Sequence, residues 1–170
     1  AISFRSRLQG LFVGALLAFH LIFFYLSIKL SNVSIGTVTL ASSSFFTSLL
    51  EPKLLNKRFD KTSLIYASLN LIGLLLIFNF DTKFRLGISV GIISAFLAAL
   101  FTVCNKKFSY GKDPYTFINY EMLGGFLLVL ALSPVYLLGY GTASIYFDLK
   151  DLIYLFLLAT VFTVLLYLMV

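Results

Sequence analysis

Six stretches of this chain run for about twenty residues without a Lys, Arg, Asp or Glu: 8–28, 30–50, 62–80, 86–105, 122–147 and 152–170. An α-helix needs about 20 apolar residues to cross about 30 Å of hydrocarbon, and each run has that length. None alternates with the period of two that a strand would show. Lipid leaves no open backbone group satisfied, so helices are the spanning element once barrels are set aside. Composition agrees, with 60% hydrophobic and 12% charged residues against the roughly 25% charged of soluble domains. So few charges cannot coat a water-exposed surface. The expected architecture is an all-α membrane protein of six transmembrane helices, at 8–30, 33–50, 63–80, 86–104, 115–138 and 152–170.

Local punctuation fits these spans. Glu51-Pro52 is expected to end the second helix, because proline disfavours helical geometry at the preceding residue. Asp113-Pro114 should open the fifth, with Asp113 as cap and Pro114 at the first helical position. Pro134 is expected to kink or end that helix, and Gly139, Gly141 and Ser144 fill the longer loop at 139–151. The chain starts at Ala1 and stops at Val170 with no polar flank, which reads as a piece of a longer multispanning protein.

The net charge of +6 is a topology signal. With a cytoplasmic N-terminus, the inside segments hold Arg5, Arg7, Lys53, Lys57, Arg58, Lys61, Lys106, Lys107 and Lys112. The outside segments hold only Lys29, Lys83, Arg85 and Lys150, as the positive-inside rule prefers. Basic residues spread this way form no nucleic-acid patch. The expected location is the bacterial inner membrane, multi-pass, with both ends of the chain cytoplasmic. One cysteine and one histidine build no metal cluster. No phosphate-binding loop, nucleophile elbow or zinc-protease motif occurs, so neither an enzyme nor an ATP-driven motor is expected. No cofactor is expected.

Polar residues aligned on a membrane helix point to a packed or wet interior. At about 100° per residue, Gln9, His20 and Ser27 fall within about 20° on the first helix. Thr37, Ser44, Ser48 and Glu51 share an arc of the second, and Tyr66, Asn70 and Gly73 one of the third. Gly87, Gly91, Ala98, Thr102 and Asn105 align on the fourth, and Thr160, Thr163 and Tyr167 on the sixth. Hydroxyls also bond their own helix backbone, and small residues allow close packing. The Gly10–Gly14 and Gly87–Gly91 pairs read as packing seams. The cavity-lining candidates are His20, Ser27, Thr37, Ser44, Asn70, Thr102, Glu121, Thr160 and Thr163. His20, about 120° from the glycine seam, is expected to face the interior rather than a tightly packed neighbour.

The run Ser42 to Arg58, with Leu49-Leu50-Glu51-Pro52-Lys53 at its centre, resembles the fourth span and following loop of EamA-type transporters of the drug/metabolite transporter superfamily. Leu71-Ile72-Gly73-Leu74-Leu75-Leu76-Ile77 resembles their fifth span. Gly91 to Lys107, ending in Cys104-Asn105-Lys106-Lys107, is similar to the start of their second repeat, and Asn119-Tyr120-Glu121-Met122-Leu123 to the start of the seventh span. A departure is Asn56, where the family often has an acidic residue.

The resemblance implies a ten-helix bundle of two inverted five-helix repeats, this chain corresponding to spans three to eight. Residues 1–80 would be the last three helices of the first repeat and 81–170 the first three of the second. It implies a secondary transporter or exporter of small metabolites or drugs, working by alternating access around a central cavity. The expected partners are the lipid bilayer, a small-molecule substrate and a possible homodimer, with no nucleic acid. Competing readings are a non-transporting structural or assembly subunit and an intramembrane enzyme whose catalytic helices lie elsewhere.

Overall fold

The computed structural model describes residues 3–80, 82–140, 148–158 and 160. Among them the regular structure is helical: α1 (Phe4–Leu30), α2 (Val33–Ala41), α3 (Ser43–Leu55), α4 (Lys61–Phe80), a 3₁₀ turn at Thr82–Phe84, α5 (Arg85–Ser109), α6 (Pro114–Tyr140) and α7 (Leu149–Leu157). Four segments are long and apolar enough to cross a membrane: α1, α2–α3 taken together, α5, and α6 as far as Leu138. The residues divide into two compact units, up to 131 and from 132 onward.

Side chains close most helix starts. Ser3 Oγ accepts from the Ser6 N–H at 3.2 Å, and Asn32 Oδ1 from the Ile35 N–H at 2.9 Å. Asn32, which begins a glycosylation-like triplet, is therefore a helix cap. Asp60 Oδ1 accepts from the Thr62 N–H at 3.0 Å. Asp113 caps α6, accepting the Thr116 N–H at 2.9 Å and the Thr116 hydroxyl. That hydroxyl first, and then the N–H, hold the Asp113 carboxyl below the usual carboxylate range. Pro114 takes the first helical position, where a missing N–H costs nothing.

Two expected boundaries fall elsewhere. Pro52 does not end the second span, because α3 runs on to Leu55. The turn closes instead at Asn56, whose left-handed φ of 53° an asparagine tolerates. Across it the Lys57 N–H donates to the Pro52 carbonyl at 3.0 Å. Nor does α6 end at Pro134; it continues to Tyr140, and membrane-type helices accommodate an internal proline. The second span also tightens at Ser42, whose hydroxyl donates to the Thr39 carbonyl at 2.5 Å.

In the unit up to residue 131, α5 is the central helix, packed by α1, α2 and α3. Its buried face is mostly small: Gly87, Gly91, Ser94, Ala95, Ala99 and Cys104. At Gly87 an added Cβ would lie 2.6 Å from Ser31 Cβ, and at Gly91 it would lie 2.8 Å from Ser27 Oγ and meet the Thr39 hydroxyl. At Gly14 a Cβ would strike the Glu121 carbonyl, and at Gly124 the Leu11 carbonyl, so α1 and α6 meet backbone to backbone. Both glycine pairs are thus packing seams.

The large apolar side chains point the other way. Phe126 is 62% exposed and Leu86 73%, whereas Ala95 and Ala99 are fully covered. The buried residues are largely small or hydroxyl-bearing, joined by Val13, Ile35, Ile88 and Phe117, while many Leu, Ile and Phe side chains are outside. That is how a bundle is arranged when its solvent is as apolar as its side chains.

Contacts also sort the charges. The Lys106 ammonium, near the end of α5, donates to Glu51 near the end of α3 at 2.7 Å. Lys112, just before α6, donates to Gln9 near the start of α1 at 2.7 Å. At the opposite end, Gly87 of α5 meets Ser31 beyond the end of α1. Lys57, Lys106 and Lys112 therefore share one end of the unit, and Lys29 and Arg85 the other.

Candidate functional site

The turn at 56–60 returns the chain so that α4 packs on α3, leaving a cleft of about 510 Å³ between them. Ser44, Ser48 and Glu51 line it from α3, and Asp60, Tyr66 and Asn70 from the α4 side. Lys57 and Arg58 border it in the turn. Asn70 Nδ2 reaches Ser44 Oγ at 3.5 Å, the outer limit of a hydrogen bond. Glu51 Oε1 accepts from both Lys57, at 3.1 Å, and Lys106. The Ser63 hydroxyl and the Thr62 N–H hold Asp60 below the usual carboxylate range, so it stays anionic at neutral pH. The cleft thus carries both signs of charge beside hydroxyl and amide groups, a lining suited to a polar solute with donors and acceptors of its own.

Its hydroxyls are largely committed to backbone carbonyls of the preceding turn. Ser44 donates to the Ala41 carbonyl at 2.9 Å, Thr47 to Ser43 and Ser48 to Phe45, both at 2.8 Å. Such back-bonding hides the donors and leaves oxygen lone pairs toward the cleft.

The polar arc on α1 is a seam. Ser27 is fully buried, and its hydroxyl donates to the Gly87 carbonyl at 2.7 Å. The His20 side chain, expected to avoid a packed neighbour, is half-buried against α5. Its Nδ1 lies 3.0 Å from the Ser94 carbonyl, and Ser94 Oγ lies 3.0 Å from the His20 carbonyl. With Nδ1–H as donor and the Ser94 hydroxyl as the return donor, each residue bonds the other's backbone. Ser94 Oγ is also 3.0 Å from Nδ1, but that contact alone would leave the Ser94 carbonyl without the imidazole proton. His20 therefore clasps α1 to α5. Losing a buried partner costs about 1–3 kcal/mol, so His20→Ala should lower folded yield and thermal stability by that amount. Thermal unfolding in detergent tests it, and unchanged stability would remove the clasp.

The other candidates disperse. Thr37 is exposed and bonds the Val33 and Ser34 carbonyls at 3.0 and 2.9 Å. Thr102 is exposed and bonds the Ala98 carbonyl at 2.9 Å. Thr160 bonds the Phe156 carbonyl at 2.7 Å. Thr163 lies outside the described residues. Glu121 is fully buried, at the meeting of α1, α5 and α6. Its Oε2 accepts from Asn105 Nδ2 at 3.3 Å, and its Oε1 has no partner. Ser44 and Asn70 are thus the two candidates that the structure brings together in a cleft. Lys57 and Arg58, expected only as cytoplasmic charges, join them with Asp60 and Ser63, which no expectation named; the charges flanking the Pro52–Asp60 turn were the signal.

Among the described residues these features define a helical structure with four segments fit by length and composition to cross a membrane. It is 28% identical over 116 residues to a protein of Aquifex aeolicus (strain VF5) described only as uncharacterized. That match covers 60% of this chain and 28% of the relative's length. No family model matches the chain, and no solved structure matches it.

Proposed function

We propose that this chain is part of a polytopic inner-membrane secondary transporter of small organic solutes, built on the EamA plan and working without ATP. The cleft between α3 and α4 carries the proposal, because it gathers a polar lining of both charge signs between two helices whose other outward side chains are largely apolar. A subunit used only for assembly needs seams such as His20–Ser94, but has no use for such a cleft. Its lining favours solutes bearing hydrogen-bonding groups over plain hydrocarbons. Ser44, Asn70 and Glu51 would contact the solute, while Lys57 and Arg58 stand at its cytoplasmic mouth.

Orientation supplies a direct test. Lys57, Arg58, Lys106 and Lys107 should face the cytoplasm, and Lys83 and Lys150 the outside. With Cys104 replaced, single cysteines at 57 and 83 are treated with an impermeant thiol reagent on intact cells. Position 83 should label and position 57 should not; the reverse pattern would invert the topology, and labelling of both would remove the span between them. Solute flux in vesicles free of ATP is the functional counterpart.

A further inference from the structure

Resting on the transporter reading, we propose that Glu121 is the residue that carries the coupling proton. Glu121 lies two turns into α6, where that helix meets α1 without intervening side chains. One turn earlier, Phe117 is buried with Val13 of α1 and Cys104 of α5. The carboxyl is thus enclosed by three helices and reached by one side-chain donor, Asn105. Its second oxygen is buried and unpartnered.

Among the described residues no ionisable group of the same helices makes an ion pair or hydrogen bond with the carboxyl. Arg7 of α1 stacks on the Tyr120 ring, 5.8 Å from its centroid. Lys112 bonds Gln9, and Lys106 bonds Glu51. Arg5 on α1, Lys107 on α5, and Tyr110 and Tyr115 around the α5–α6 turn make no ion pair or hydrogen bond with it among the described residues. Cys104 belongs to the apolar cluster.

An enclosed carboxylate with one neutral donor and no cation is a poorly compensated charge, whereas the neutral acid leaves only one hydroxyl unpaired. The closed α1–α6 seam is therefore the arrangement of the protonated side chain. Ionisation gives Oε1 a full demand for water or donors, and these reach it only if α6 moves off α1. Proton uptake closes the seam and proton release opens it. The proton comes from water on one side of the membrane and returns to water on the other, with no bond in the solute changed. Two such states are what alternating access requires of a coupling residue.

The test uses the full-length protein in liposomes that contain a pH-sensitive dye. The solute probes are labelled amino acids, nucleosides, sugars and ethidium. Wild type should move protons with whichever probe it transports. Glu121→Gln, which imitates the neutral acid, should lose that proton movement and pH-driven accumulation. Glu121→Asp should keep part of both. Infrared spectra of the wild type, taken from about pH 5 to 9, should show a protonated carboxyl band that fades as pH rises and is missing from Glu121→Gln. This reading stands even if the glutamine variant folds poorly, because the fading is measured on wild type.

Proton movement unchanged in Glu121→Gln, or no such band in the wild type, overturns the assignment while leaving the transporter reading intact. Transport that follows a sodium gradient at fixed pH, and not a pH gradient, overturns it equally. Flux of no probe by folded wild-type protein overturns both.

Discussion

Gly14→Leu should leave little folded protein. A Cβ at Gly14 would lie 2.7 Å from the Glu121 carbonyl carbon and 2.8 Å from the Gly125 nitrogen, and would collide with the Glu121 carbonyl oxygen. All three atoms are backbone, so no rotamer change relieves the clash. Overpacking typically costs about 1–3 kcal/mol, occasionally more, and a backbone-to-backbone seam belongs at or above the top of that range. About 3 kcal/mol is roughly a hundredfold in the folded-to-unfolded ratio. Gly73 is the control, since a Cβ there meets nothing within 4 Å. Thermal melts of the two leucine variants should differ widely. Equal melting temperatures would mean that α1 and α6 are not in backbone contact.

The second large effect concerns transport. Ser48 lines the cleft from α3, and its hydroxyl bonds its own helix, so a larger side chain there projects into open space. Ser48→Trp should fill part of the cleft and lower solute flux by roughly tenfold or more, about 1.4 kcal/mol of binding or barrier. Stability should change little, because no buried polar partner is removed. Thr37→Trp is the matched control, being on the same span but on an exposed face. It should transport as wild type does. Equal loss in both variants would indicate general damage to the span, and no loss in Ser48→Trp would take the cleft out of the solute path.

Helix positions were readable where an uncharged run has the length of a long helix, and four such segments among the described residues are long and apolar enough to cross a membrane. α1 and α5 lie within a few residues of where the uncharged runs placed them. Helix ends were less readable: Pro52 forbids one hydrogen bond, but α3 stops only at Asn56, where the backbone turns left-handed. Helical angle correctly grouped His20 with Ser27, and Gly87 with Gly91. It could not say what a shared arc faces. In a bundle with an apolar exterior, inward is the default for polar side chains, and inward includes both a cavity and a seam.

Ser94 shows the limit. Nothing in its local pattern marks it, and its importance comes from a residue 74 positions away. Ser44 and Asn70 were recognisable as polar positions, yet only the antiparallel return at Asn56–Asp60 makes them neighbours. Asn105 and Glu121 each stood out along the chain. Their contact depends on the α5–α6 turn, where Gly111 adopts a φ of 71°.

The roles proposed for the cleft and for Glu121 both require that solute pass through this protein without ATP. The direct measurement is uptake into ATP-free liposomes bearing the full-length protein, with labelled amino acids, nucleosides, sugars and ethidium as probes. Saturable uptake of at least one probe above protein-free liposomes is expected, competed by its unlabelled form and lost in Ser48→Trp. Folded, membrane-inserted protein that moves none of these probes faster than bare lipid would contradict both roles.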